Sequence, residues 1–129
     1  MQSRGENEVP EIVCGELYFV AVGVTERWRD DGIVANALNP GAIATGLQKH
    51  TGGLSTPVER RKTVEQGAAT SVLLAASPLL DGIGGRYFDD CNEAPMVSSR
   101  PADYRGVAPY ALDHGNAERL WDAHRSLVR

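Results

Sequence analysis

Apolar residues recur at helical spacing along the first part of the chain. Val13, Leu17, Val20, Val24 and Trp28 follow one another at three- and four-residue steps. That spacing predicts a helix from about Val9 to Asp31 with this stripe as its buried face. Gly15 and Gly23 each weaken it by about 1 kcal/mol relative to alanine. Gly32 stands where a carboxyl-terminal cap belongs, although Asp30 and Asp31 oppose the helix dipole there. The period then shortens. Ile33-Val34-Ala35-Asn36-Ala37-Leu38 is β-branched at its start and stops at Asn39-Pro40-Gly41, a strand running into a turn. Residues 42–56, rich in Gly and Thr, read as loop or short helix.

A second helix is predicted from Val64 to Ala76. Thr63 is its N-cap, and Gln66 follows at capping-box spacing. Its interior is small and apolar, suited to lying close on a sheet, and Ser77-Pro78 ends it. Gly82-Ile83-Gly84-Gly85 forms a turn, and Arg86-Tyr87-Phe88 opens a second strand. Residues 92–108 read as irregular. A last helix covers Asn116–Leu127 and buries Leu120, Trp121 and His124; residues 1–8 read as a frayed start. A strand, a long helical connection and another strand make a βαβ unit with parallel strands. Two strands do not make an independently stable sheet, so the α/β organisation is incomplete.

Composition narrows the class. The chain has 129 residues, 42% hydrophobic and 23% charged, which suits one globular domain. Thirteen basic against seventeen acidic residues leave a net charge of −4. That balance argues against nucleic-acid or anionic-membrane partners, which need a basic face. No apolar run is long enough to span a membrane, and the polar, acidic start shows no secretory signal. Cys14 and Cys91 lie far apart, outside any paired ligand spacing, so free thiols and a cytoplasmic location are expected.

The informative stretch for chemistry is Asn36-Ala37-Leu38-Asn39-Pro40-Gly41-Ala42-Ile43-Ala44-Thr45. A strand that turns sharply at its carboxyl end does so where open α/β sheets bind ligands. Backbone groups of Ala42 and Ile43, with the Thr45 hydroxyl, suit an amide or phosphate. A purely structural turn is the competing reading. The segment resembles the proline-glycine motif after the sixth strand of short-chain dehydrogenases/reductases. Lys62-Thr63-Val64-Glu65-Gln66-Gly67-Ala68 and Gly84-Gly85-Arg86-Tyr87-Phe88-Asp89-Asp90-Cys91 look like the helix and last strand of the retinol-dehydrogenase-like branch. The resemblance covers about Ala21 to Trp121. It implies a partial Rossmann-like fold, the carboxyl-terminal half of a doubly wound parallel sheet, making residues 1–129 one truncated domain. It also implies NAD or NADP as cofactor. Pro40, Gly41, Ile43 and Thr45 would hold the nicotinamide carboxamide, with residues 46–62 as the substrate loop.

The departures are equally specific. No strand, glycine-rich loop and helix occur in the family's order; Gly82–Gly85 precedes a strand instead of following one. The family's proton-transfer pair is a Tyr and a Lys four residues later. Registering Ala21, Val22, Thr25, Arg27 and Trp28 on the family helix puts Pro10 and Cys14 at those places, so no catalytic residue is assigned. Asp89, Asp90, Asn92 and Glu93 fit no metal loop, and no metal is expected. Cys91 reads as a half-buried packing thiol, and Arg60-Arg61-Lys62 as a solvated basic face. Two functions follow. One is a truncated alcohol/carbonyl oxidoreductase, inactive alone and binding dinucleotide weakly. The other is a non-catalytic remnant that self-associates or docks on a partner, through the Val13–Trp28 helix or an exposed sheet edge.

Overall fold

The computed structural model describes residues 15–50, 52–99, 101–103 and 105–128; the expectations for residues 1–14, including Val13 and Cys14, lie outside them. The elements in order are α1 (Gly15–Trp28), β1 (Ala37–Asn39), α2 (Val64–Ala76), β2 (Tyr87–Asp89), β3 (Asn92–Glu93) and α3 (His114–Leu127), with short 3₁₀ turns between them. The sheet order is β1-β2-β3. β1 and β2 are parallel, pairing Ala37 with Tyr87 and Asn39 with Asp89, around a crossover that contains α2. This is the expected α/β unit, part of a Rossmann-like fold.

β3 corrects the irregular reading of residue 92 onward. It runs antiparallel to β2, pairing Phe88 with Glu93 and Asp89 with Asn92. The two-residue connection, Asp90-Cys91, has positive φ at both positions, 49° and 60°. That is the primed geometry that suits strand twist, adopted here without glycine. Two charged or polar residues have no room to show alternation, so β3 leaves no periodic signal.

Helix α1 lies where the spacing places it, but it is rotated. Tyr18, Ala21, Val22 and Thr25 are buried, while Leu17 is 63% and Val20 39% exposed. Both stripes have helical spacing; the buried one includes a tyrosine and a threonine, which hides it from a search for aliphatics. The Tyr18 ring meets Tyr87 edge-on, centroids 4.5 Å apart, at the centre of a core completed by Ala37, Ala94, Val107 and Ala111. The Thr25 hydroxyl exchanges two 3.0 Å hydrogen bonds with the backbone N–H and C=O of Ala35, fixing the chain as it enters β1. Gly32 caps the following 3₁₀ turn at φ 78°.

Helix α2 has the expected bounds. Thr63 Oγ1 accepts from Gln66 N, and the Gln66 side chain accepts from Thr63 N, closing the capping box. Its covered face is narrow, Gly67 and Thr70. A Cβ at Gly67 would lie 2.0 Å from Ile43 Cδ1, so only glycine lets the helix approach the turn after β1 this closely. Helix α3 begins at His114, two residues before Asn116, because Asp113 caps it through Asn116 N at 2.8 Å. Ala117 is its buried residue. Trp121 is half-buried against Trp28, ring centroids 5.5 Å apart, with the Arg27 guanidinium 4.3 Å over its face. His124, expected inside, is exposed: the helix packs on α1 and on the Pro109–Leu112 turn, and His124 lies away from both.

Candidate functional site

β1 and β2 both end at one cleft of about 1160 Å³, floored by Asn39, Asp89 and Asp90 and walled by Ser55–Arg61 and Arg105. The carboxyl ends of parallel strands are where open α/β sheets place ligands.

The turn after β1 is built from its own side chain. Asn39 Oδ1 accepts from Gly41 N at 2.9 Å, which curls the chain over Pro40. Gly41 then takes φ 83°. That conformation favours glycine; a Cβ there would also meet the Lys62 side chain, 2.7 Å from Cδ, and displace it. Lys62 N donates to Ala42 O at 2.8 Å, and Ile43 and Lys62 form a parallel bridge. Thr45 opens a 3₁₀ turn over Gly46–His50: its hydroxyl accepts from Leu47 N at 3.3 Å and donates to Gln48 Oε1 at 3.3 Å. Of the four residues assigned to a carboxamide wall, Gly41 lines the cleft. Pro40 is exposed on the turn, and Ile43 and Thr45 continue the same strand-end segment.

Asp90 is the electrostatic centre of the cleft. Its carboxylate pairs with Lys62 and with Arg105, joining the two walls. The hydrogen bond from Lys62, then the charges of Lys62 and Arg105, hold its carboxyl below the ordinary carboxylate range. Neighbouring Asp89 is pushed up instead, mainly by burial and then by the charge of Asp90. Thr70 secures this turn from α2, its Oγ1 accepting from Cys91 N at 3.1 Å. Cys91 itself is exposed, not half-buried, with Sγ 3.6 Å from Thr70 Oγ1.

The basic run is a solvated face only at Arg60; Arg61 and Lys62 are half-buried. Arg61 donates to Thr56 O at 2.8 Å and to Leu54 O at 3.0 Å, Arg60 to Ala102 O at 3.3 Å, and Lys62 reaches Asp90. Each cation binds a backbone carbonyl or carboxylate at the cleft wall. Glu93, at the far side of the acidic stretch, pairs with Arg86 at 2.6 Å. The role of Gln48 and the Asp90 hub were not anticipated from sequence. Thr45-Gly46-Leu47-Gln48 does repeat the spacing of the capping box at Thr63, a signal for the first.

Gly82–Gly85 precedes β2 and therefore lies at the end of the sheet opposite the cleft. A Cβ at Gly84 would stand 2.6 Å from Val34 Cβ and 2.7 Å from Thr25 Oγ1, so its glycine serves close packing on α1.

No family model matches the chain, and no solved structure does. Curated relatives do. A "Probable oxidoreductase" of Streptomyces lividans is 51% identical over 109 residues, 74% of this chain and 37% of the relative. The short-chain dehydrogenase/reductase prx1 of Penicillium rubens is 37% identical over 107 residues, 77% of this chain and 32% of its own. Mouse retinol dehydrogenase 14 is 31% identical over 116 residues, 81% and 30%. The chain spans about a third of the length of these relatives.

Proposed function

From a chain homologous to the carboxyl-terminal portion of short-chain dehydrogenases/reductases, we propose one side of an NAD(P)-dependent pocket for an alcohol or carbonyl substrate. Pro40, Gly41, Ile43 and Thr45 are its nicotinamide wall, and the Ser55–Lys62 segment borders the substrate. The observation that carries this reading is the cleft at the carboxyl ends of β1 and β2, entered by a turn whose Gly41 takes φ 83°. NAD(P) would bring the hydride chemistry; this chain's residues would orient the ring.

The chain by itself is a half-site. The family's Tyr and Lys positions hold Pro10 and Cys14, and the glycine cluster lies away from the cleft. Complementation tests this. Mixing the full chain with the separately produced amino-terminal portion of the Streptomyces relative should restore NAD(P)H-dependent carbonyl reduction, and Gly41→Val should abolish it. Activity in the mixture that is indifferent to Gly41→Val would refute the wall.

A second reading, a self-associating module in the cytoplasm, rests on one separate observation. Phe19, Val20, Leu120, Trp121 and Val128 line an apolar groove between α1 and α3. A second copy docked there through Leu17 and Val20 would cover it. Sedimentation of dilute protein distinguishes the readings; a compact monomer at all concentrations removes this one. Among the described residues no helix is long and apolar enough to cross a membrane.

A further inference from the structure

The dipeptide Asp-Gly occurs twice in the chain, at Asp31-Gly32 and at Asp81-Gly82. All four residues are exposed, and a Cβ at either glycine would meet nothing within 4 Å. The fold nonetheless treats the two glycine amides differently. Gly32 caps the 3₁₀ turn over Arg29–Asp31, and its N–H donates to Arg29 O at 3.0 Å. The next amide, Ile33 N, donates to Trp28 O at 2.9 Å, so both amides that leave the turn are bonded. Asp81 and Gly82 are instead the two central residues of a type II turn. Asp81 has φ −60° and ψ 126°, Gly82 has φ 70°, and Ile83 N donates to Leu80 O at 3.0 Å to close it. Gly82 N has no hydrogen-bond partner among the described residues.

We propose that Asp81-Gly82 is a site of spontaneous covalent modification, isoaspartate formation, and that the bond from Gly32 N protects the identical dipeptide at Asp31. In the first step Gly82 N attacks Cγ of the protonated Asp81 carboxyl. An N–Cγ bond forms, the Cγ–OH bond breaks, and the hydroxyl leaves as water with the amide proton. The resulting five-membered succinimide takes up one water at either carbonyl carbon. Opening at Cγ restores aspartate. Opening at the Asp81 backbone carbonyl breaks its bond to Gly82 N and leaves Gly82 linked through the side chain. The water lost is the water regained, and no oxidant, reductant or cofactor enters. The turn permits this chemistry in two ways. Its φ of 70° calls for glycine, the least hindered residue, at the attacking nitrogen. Ring closure also requires the Asp81-Gly82 peptide to rotate away from ψ 126°, and no bond on Gly82 N resists that rotation. At Asp31 the same rotation breaks the cap. The product adds one backbone carbon just ahead of the bonds that anchor the approach to β2, from Asn36 Nδ2 to Ile83 O and from Gly85 N to Ala35 O, each 2.7 Å.

The test incubates the full chain, folded and in denaturant, in mildly acidic buffer. Isoaspartate is then counted at each site by proteolysis, chromatographic separation and electron-transfer fragmentation, which distinguishes the isomers at constant mass. In the folded chain isoaspartate should form about three- to tenfold faster at Asp81 than at Asp31, the factor that one net hydrogen bond corresponds to. In denaturant the two rates should converge, because neither glycine amide then has a partner. Asp81→Glu, whose longer side chain cannot close the five-membered ring, should remove the product at residue 81 and leave the slow rate at Asp31 unchanged. Equal rates in the folded chain, or faster formation at Asp31, overturn the proposal. So does a rate ratio that persists in denaturant, since the flanking residues and not the fold would then set it. A folded chain that forms no isoaspartate at Asp81 overturns it outright.

Discussion

Replacing Asp90 by Asn removes one charge from the centre of the cleft while keeping a residue type that tolerates positive φ. The perturbation is therefore electrostatic. Lys62 and Asp90 have side chains 20% and 28% exposed, which places their pair at the upper end for near-surface bridges, about 1 kcal/mol. Arg105 is 60% exposed and adds a few tenths. The sum, about 1–1.5 kcal/mol, lowers the melting temperature by about 4–6 °C in a domain of this size. The pH dependence follows from the direction of the shift. A carboxyl held below its ordinary value contributes fully above about pH 4, and the contribution is lost as pH falls through the folded-state value. Thermal unfolding followed by circular dichroism should thus separate wild type from Asp90→Asn at neutral pH, and the two should converge as acid protonates Asp90 in the folded state. Lys62→Met should reproduce most of the loss and Arg105→Met only a small part. Equal stability at neutral pH, or a gap unchanged in acid, would refute the hub.

Other perturbations test neighbouring links. Asp89 is raised, so its charge opposes folding at neutral pH; Asp89→Asn should increase the melting temperature at pH 7, with the gain shrinking as acid protonates the wild-type group. Gly41→Ala should cost about 1–2 kcal/mol, because φ 83° resists a Cβ; denaturant titration reads it directly. Trp121→Ala should cost about 2–3 kcal/mol and loosen α3 from α1, measured as faster amide exchange in α3 with little change in α2.

Much of this architecture is legible in the sequence where the determinants are local. Thr63, Gln66 and Ser77-Pro78 delimit α2 because a capping box and a proline act within a few residues of the helix ends. Asn39-Pro40-Gly41 announces its turn because the Asn side chain bonds two residues ahead. The rest depends on partners distant in the chain. Which of two adjacent stripes α1 buries is decided by Tyr87 and Ala35, far from any periodicity within the helix. β3 is two residues long, and its turn is held by Thr70 of α2, so no local pattern marks it. Lys62 looks like a solvated cation until the fold brings Asp90 beside it. The reading of Pro40, Gly41, Ile43 and Thr45 as a carboxamide wall comes from the resemblance alone.

On the proposed reading, this chain carries the nicotinamide side of a pocket and depends on groups beyond its own residues to hold the rest of the dinucleotide. Titrating NADH and NADPH separately into the full chain, followed by fluorescence and calorimetry, tests it most directly. A half-site shows no saturable binding in the micromolar range for either cofactor and no turnover with carbonyl substrates. Micromolar affinity for either, or hydride transfer by the chain alone, would contradict it.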